Sequence, residues 1–229
     1  MAQRSHNKRS KAQPAAIASK QKDPDHNCQR CPRLSTFIAA QRDKQPNWFN
    51  GPVPTFGETD ARIMIIGLAP GMKGANRTGR PFTGDYAGDL LYATLEKFGF
   101  TSGTYEKHAD DGLMLKDIAI TNAVRCVPPQ NKPTPEEIKT CRPFLQNTIA
   151  AHTKLKGFIA LGRIAHETLL RNFSIPLKTH PFAHGAVHEM ANGFWIFDSY
   201  HCSRYNTNTG RLTSAMFDDV FIKVREKLS

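Results

Sequence analysis

The chain has 229 residues, of which 39% are hydrophobic, and its 31 Lys and Arg against 20 Asp and Glu give a formal net charge of +11. This length is enough to bury one sizeable core. With no apolar run near the roughly 18 residues of a membrane span, we expect a soluble protein. The charge favours a polyanionic partner such as nucleic acid, the alternative being a merely basic surface.

We predict a basic, flexible tail over residues 1–25 and a single domain over residues 26–229. The first 22 residues hold six Lys or Arg, no acidic residue and almost no bulky apolar side chains, so they cannot bury enough surface to offset the entropy of ordering. A mitochondrial presequence would carry a similar charge, but the Leu and Phe of its amphipathic face are missing.

Four of the five cysteines form two pairs, Cys28 with Cys31 and Cys126 with Cys141, with 94 residues between the pairs. Two such pairs provide a four-sulfur ligand shell suited to zinc or to an iron-sulfur cluster. Four prolines lie between Cys126 and Cys141 and predict an extended excursion, which suits a bulky cluster better than a single ion. Two disulfides or ordinary buried thiols are the alternatives.

The pattern beyond the tail alternates between strand and helix. Short apolar runs rich in Ile or Phe predict buried strands, and amphipathic stretches between them predict helices. This alternation predicts an α/β fold: a three-layer α/β/α sandwich around a central four-stranded parallel sheet. The predicted strands are Arg62–Ile66, Ile118–Asn122, Gly157–Leu161 and Phe194–Phe197, and the predicted helices are Ala87–Phe98, Thr134–Lys154, Arg163–Arg171 and Leu212–Lys227.

Glycine-rich or polar segments follow three of these strands. The first strand leads into Gly67–Gly71 and then into Asn76–Asp85, the second into Thr121–Cys126, and the fourth into Asp198–Arg204. Because ligands bind at the carboxyl ends of parallel strands, these segments should meet at one edge of the sheet.

This set of segments, with the cysteine pairs, resembles the uracil-DNA glycosylase superfamily over about residues 26–228, and most closely its type-b (family 5) iron-sulfur members. Leu68 and Ala69 stand where other branches carry polar groups that position water, and type-a (family 4) relatives carry Glu at the position of Leu68. Relatives with the same cysteine pattern bind one 4Fe-4S cluster, which implies the ligands Cys28, Cys31, Cys126 and Cys141.

The resemblance implies an enzyme of the bacterial or archaeal cytoplasm, associated with the nucleoid. It would flip a deaminated base out of DNA and hydrolyse its N-glycosidic bond, leaving an abasic site that starts base excision repair. Uracil is the expected base, with hypoxanthine and xanthine as further substrates. The alternatives are a non-catalytic iron-sulfur DNA-binding protein, a type-a uracil-specific glycosylase and an iron-sulfur electron carrier.

The base pocket is predicted to include Gly67, Ala69 and Gly71, with Phe82 as the stacking ring and Asn122 reading the base edge. A flipped base needs an aromatic surface and a polar partner for its edge. Phe82 could instead be a core residue, and Asn122 a strand-end amide that caps a turn. Since Ala69 and Gly71 leave space, we expect excision of deaminated purines as well as uracil.

The catalytic residues are predicted to be His201, Asn122 and Asp85. His201 follows a strand and could donate to the charge that develops on base O2 as the bond breaks. Asp85 could orient the water or stabilise a cationic sugar, or it could simply cap the helix that begins near Ala87.

The loop after His201 departs from the family. Relatives usually have His-Pro-Ser here, whereas Cys202 replaces the proline, which puts the rigidity of the loop in doubt. Cys202 is either a small replacement for proline or, less simply, a solvent-facing thiol. Arg204 is the first candidate to fill the gap that the flipped base leaves. The residues predicted to contact DNA are Arg80, Ser203, Arg204, Asn206 and Arg211.

Overall fold

The computed structural model describes residues 23–229, and the first 22 residues of the predicted basic tail lie outside this range. The described residues form seven strands: β1 (Ile63–Gly67), β2 (Thr101–Ser102), β3 (Met114–Leu115), β4 (Ile118–Asn122), β5 (Gly157–Leu161), β6 (Val187–Glu189) and β7 (Trp195–Ser199). The same part of the chain contains seven α-helices: α1 (Pro32–Lys44), α2 (Ala75–Thr78), α3 (Tyr86–Lys97), α4 (Pro135–Ala151), α5 (Arg163–Asn172), α6 (Arg204–Asn208) and α7 (Ser214–Leu228).

The main sheet has five strands in the order β4-β1-β5-β7-β6. The first four strands are mutually parallel, which confirms the predicted α/β sandwich, and β6 adds an antiparallel edge beside β7. The four-stranded prediction missed β6 because Val187–Glu189 is short and alternates between exposed and half-buried residues, so it has no apolar run. A separate two-stranded sheet pairs β2 with β3.

Alternate residues of the buried strands face two different cores. Ile63 and Ile65 of β1 pack on the face covered by α3 and α7, whereas Met64 and Ile66 pack on the face covered by α4 and α5. Burial on both faces explains why the parallel strands are continuous apolar runs rather than alternating ones.

The predicted helices agree with α3, α4, α5 and α7 to within three residues at each end. Thr134 and Glu137 form a capping box at the start of α4, which is the signal that the Thr-Pro-Glu-Glu sequence carries. The sequence did not predict α1, which begins directly after Cys31 and has a weak apolar pattern. None of the described helices is long and apolar enough to cross a membrane.

The front of the described chain is tied to the sheet by polar contacts. Asp23 forms an ion pair with the buried Arg125 at 2.9 Å, and the side chain of Asn76 donates to Asn50 at 2.9 Å. Asp23, which falls within the predicted tail of residues 1–25, is therefore in contact with the folded domain.

Candidate active site and cysteine centre

A cavity of about 370 Å³ opens at the carboxyl ends of β1, β4 and β7. The three segments expected to meet at this edge of the sheet do meet there. We call this space the base cavity, and it is lined by Leu68, Ala69, Pro70, Gly71, Ala75, Phe82, Asp85, Tyr86, Ala87, Asn122, Asn131, His201, Ser203 and Arg204.

Asn122 is the last residue of β4, and its side chain is buried at the cavity wall. A Cβ atom at Gly67, the matching end of β1, would lie 2.3 Å from Asn122 Oδ1 and 2.8 Å from the ring of Phe82. Such a contact is sterically forbidden, so Gly67 allows the amide and the ring to approach the same strand end. No hydrogen bond joins the Asn122 side chain to another described residue, which leaves its amide available to a ligand.

Phe82 is 7% exposed and belongs to the core that α3 and α7 cover. It also lines the base cavity, so a core position and the predicted stacking role are compatible. Its backbone has φ of 52°, a conformation that a bulky residue rarely adopts. The ring lies 5.9 Å from that of His201, with 31° between their planes.

His201 follows β7 by two residues and is half-buried at the cavity. Burial lowers the pKa of its ring to about 4. The imidazole is therefore neutral at pH 7, with one N–H available as a donor. Its neighbour Cys202 is completely buried, and burial raises the pKa of that thiol to about 12. Cys202 is a small packing residue and not a solvent-facing thiol.

Asp85 caps a helix and also lines the base cavity, so its place fits both of the roles considered for it. Its Oδ1 accepts from the backbone N–H of Gly88 at 3.2 Å and so caps α3, while its carboxylate also lines the base cavity. Burial raises the pKa of this carboxyl group. Its other oxygen, Oδ2, lies close to the backbone of Gly71 and Gly74.

The side chain of Arg80 is buried and not exposed on the protein surface, so its predicted DNA-binding role is wrong. The residue is 5% exposed, and its guanidinium forms two bonds of 2.7 Å to the carboxylate of Asp111. A guanidinium that is buried and paired in this way is not available to a phosphate.

The remaining loop residues divide into two groups. Ser203 caps α6 by accepting from the N–H of Asn206 at 3.5 Å, and the side chain of Asn206 donates to the carbonyl of His201. Arg204 is exposed and lies 5.2 Å above the ring of Tyr86. Arg211 is exposed above the ring of Tyr200, at a second cavity of about 540 Å³ that shares His201 with the first.

Tyr205 was missed at the sequence level. Its side chain is 72% exposed on α6. A tyrosine beside Arg204 in a polar loop was the available signal, but the sequence analysis chose Arg204 as the residue that fills the gap. An exposed aromatic ring is a better shape for insertion between bases than the guanidinium of Arg204, which is already stacked on Tyr86.

The four paired cysteines come together as predicted. Cys28, Cys31, Cys126 and Cys141 surround one site beside Leu34, Val124 and Phe144. All five cysteines are free, which overturns the disulfide alternative. Burial raises the pKa of Cys126 and Cys141, and burial with the neighbouring Cys141 raises that of Cys31 to about 11.

The spacing of the thiols also carries information. Within residues 23–229, no three of the four Sγ atoms lie within 4.8 Å of one another. Four sulfurs around one zinc ion, at about 2.3 Å each, would be roughly 3.8 Å apart. Ala69 of the base cavity packs against the cysteine site, so the two sites are neighbours.

Asp198 of β7 forms a buried cluster with two histidines, which the sequence analysis did not single out. Asp198 has no exposed surface, and its two oxygens meet His166 Nδ1 at 2.7 Å and His188 Nε2 at 3.1 Å. His166 Nε2 lies 2.8 Å from the carbonyl oxygen of His180. These distances are those of direct hydrogen bonds between the side chains.

The sequence of the chain is similar to those of known proteins. The model of the "Uracil DNA glycosylase superfamily" matches residues 54–225. A "Type-5 uracil-DNA glycosylase" of Thermus thermophilus is 44% identical over 204 residues, covering 86% of this chain and 92% of the relative. One of Mycobacterium tuberculosis is 40% identical over 210 residues, covering 87% and 77%. A "Type-4 uracil-DNA glycosylase" of Archaeoglobus fulgidus is 33% identical over 139 residues, covering 60% and 62%.

Proposed function

The chain belongs to the uracil-DNA glycosylase superfamily, and from this membership we infer that it is a hydrolase that cleaves the N-glycosidic bond of uracil in DNA. The type-b resemblance is confirmed, because relatives named type-5 match over most of the chain and at higher identity than those named type-4. The substrate is uracil-containing DNA, and the activity belongs to DNA repair.

The observation that carries this function is that Phe82, Asn122, Asp85 and His201 line one cavity. We propose that the flipped base stacks on Phe82 while the free amide of Asn122 binds its polar edge. The neutral ring of His201 then donates to the negative charge that develops on O2, and this interaction grows as the bond breaks.

For Asp85 we propose a role beyond capping. Leu68 and Ala69 offer no polar side chain at the cavity, whereas Asp85 presents a carboxylate there. The capping bond from the N–H of Gly88 goes to Oδ1, and in this proposal Oδ2 orients the attacking water or faces the cationic sugar. A raised pKa also makes this carboxylate a better proton acceptor than an ordinary aspartate.

For DNA binding we propose a face that runs across α6. Arg204, the first residue of α6, and Arg211, which follows the helix, are both exposed, and Arg163 lines the second cavity with Arg211. These cations would neutralise backbone phosphates, while Tyr205 inserts into the stack and fills the gap left by the flipped nucleotide. With relatives from bacteria and archaea, this supports an enzyme that works on nucleoid DNA in the cytoplasm.

For the cysteine site we propose one 4Fe-4S cluster. The donor set of four thiols fits it, and burial with mutual repulsion makes the thiolates unfavourable unless a cationic centre balances them. When bound, the cluster would crosslink the front segment to Cys126, which follows β4, and to Cys141 of α4.

The breadth of the substrate range is also a proposal. The small residues Ala69 and Gly71 at the cavity support excision of hypoxanthine and xanthine alongside uracil, since the Asn122 amide can present a donor or an acceptor to a keto edge.

The deciding experiment incubates the purified protein with duplex oligonucleotides that carry one uracil and then cleaves abasic sites with alkali. We expect cleavage at the uracil position with the natural protein and a loss on the order of a hundredfold with His201→Ala. Binding without any excision would favour the non-catalytic DNA-binding alternative.

A further inference from the structure

We propose that Tyr105 and Asp111 are positioning residues, which hold Phe82 in the conformation that stacks the base although neither residue lines the base cavity. The proposal rests on the proposed stacking role of Phe82. Both residues lie in the segment that connects β2 to β3, outside the main sheet.

The backbone of Phe82 needs outside support. Its φ of 52° is unfavourable for an aromatic residue, and such a conformation persists only where surrounding contacts fix it. α3 passes so close that a Cβ atom at Gly88 would lie 1.7 Å from the Phe82 carbonyl oxygen. Free of its contacts, Phe82 would return to a negative φ and its ring would leave the cavity wall.

Tyrosine hydroxyls bond the peptide groups around Phe82. Tyr105 accepts from the N–H of Gly84 at 3.2 Å and donates to the carbonyl of Phe82 at 3.3 Å. Tyr92 donates to the carbonyl of Pro81 at 2.7 Å, and the two tyrosine rings stack at 4.3 Å. Burial raises the pKa of Tyr105 to about 12, so its hydroxyl keeps the proton that it donates.

Asp111 fixes the other end of the same turn. Its carboxylate binds Arg80 through two bonds, and the Nε of Arg80 donates to the hydroxyl of Thr83 at 2.8 Å. Asp111 also accepts from the N–H groups of Glu106 and Leu113. Arg80 and Thr83 flank Pro81 and Phe82, so the β2–β3 segment clamps the base-stacking turn on both sides.

The test is a double-mutant cycle on single-turnover excision of uracil. Tyr105→Phe removes one hydroxyl and keeps the stacked ring, and we expect it to slow excision on the order of tenfold to a hundredfold, the effect of a small misplacement. In the Phe82→Ala background the same change should be silent, because the residue that it positions is gone. Equal slowing in both backgrounds would overturn the proposal.

Two further measurements separate positioning from damage to the fold. Affinity for DNA with a stable abasic-site analogue should stay within about twofold in Tyr105→Phe, because that ligand has no base to stack. Asp111→Asn should behave likewise if it folds, and Glu106→Gln, an exposed side chain of the same segment, should match the natural protein. Equal losses of abasic-DNA affinity and excision would make Tyr105 merely structural.

The double-mutant cycle also distinguishes failure of the stacking role of Phe82 from failure of the positioning role of Tyr105. If Phe82→Ala alone leaves uracil excision unchanged, the stacking role in the proposed function fails. If Phe82→Ala slows excision but Tyr105→Phe does not, stacking stands and the positioning role of Tyr105 fails.

Discussion

The side-chain amide of Asn206 donates a hydrogen bond to the backbone carbonyl of His201 at 2.8 Å. Asn206 was predicted to contact DNA, yet here it fixes the loop that carries the imidazole of His201. Its backbone reinforces this position, because its N–H donates to the hydroxyl of Ser203. The family resemblance implied a proline where this loop has Cys202, and these bonds supply rigidity that a proline ring would otherwise give.

This relationship predicts that Asn206→Ala slows uracil excision on the order of tenfold while affinity for uracil-containing DNA changes little. A net hydrogen bond is worth about 1 kcal/mol, and misplacement of the imidazole adds to that loss. Excision rates and fluorescence-anisotropy titrations on the same oligonucleotide would check it. A loss confined to affinity would restore the DNA-contact role, and Asn208→Ala, an exposed neighbour on α6, is the matched control.

His201→Ala should lower the single-turnover rate on the order of a hundredfold or more, with DNA affinity nearly unchanged. The reason is that its N–H acts on charge that exists only as the glycosidic bond breaks. Equal losses in rate and affinity would instead make His201 a residue that positions the base. His108→Ala, at an exposed histidine, is the control.

The His166–Asp198 pair predicts a pH dependence of stability. Burial alone would lower the pKa of His166, but the hydrogen bond and charge of Asp198 outweigh it and raise the pKa. A raised pKa in the folded state means that the contribution is fully present below the ordinary value near 6.5 and is lost as pH rises through the folded value. Chemical denaturation between pH 6 and 9 should show this decline, and His166→Gln should flatten it.

The cysteine centre predicts a brown protein with iron and sulfide near four each per chain. Cys141→Ser should lose most of this iron, since it removes one of four ligands. Cys202→Ser should keep it, because Cys202 is buried in the core between the sheet and α7. Metal analysis and visible absorption would decide, and about one zinc without iron would refute the cluster.

The variant Gly71→Tyr tests whether the enzyme excises hypoxanthine and xanthine as well as uracil. A Cβ atom there would lie 2.9 Å from Asp85 Oδ2, so Gly71→Tyr should slow uracil excision as well as fill the cavity. We expect excision of hypoxanthine and xanthine to fall further than excision of uracil. The ratio of single-turnover rates is the measurement, and an unchanged ratio would contradict an open cavity.

The sequence predicted the parts of the fold whose signals are local. Apolar runs marked the parallel strands, and the cysteine pairs and strand-end motifs marked both sites. It did not predict β6, whose three residues depend on pairing with β7, or the burial of Arg80. The fate of Arg80 depends on Asp111, which is 31 residues away and belongs to another segment. Because the sequence does not show that Asp111 pairs with Arg80, we predicted that this arginine in a glycine-rich motif would bind DNA.

The spacing of the cysteines also sets an order for synthesis of the protein. Cys28, Cys31, Cys126 and Cys141 all leave the ribosome before β7, and His201 follows Cys141 by 60 residues. At that stage β1 and β4 can pair, but the edge where β7 will lie beside β5 is still open. All four ligands of the proposed cluster would therefore be present on a nascent chain that still lacks His201, and β7 would be added to a sheet in which β1 and β4 are already paired.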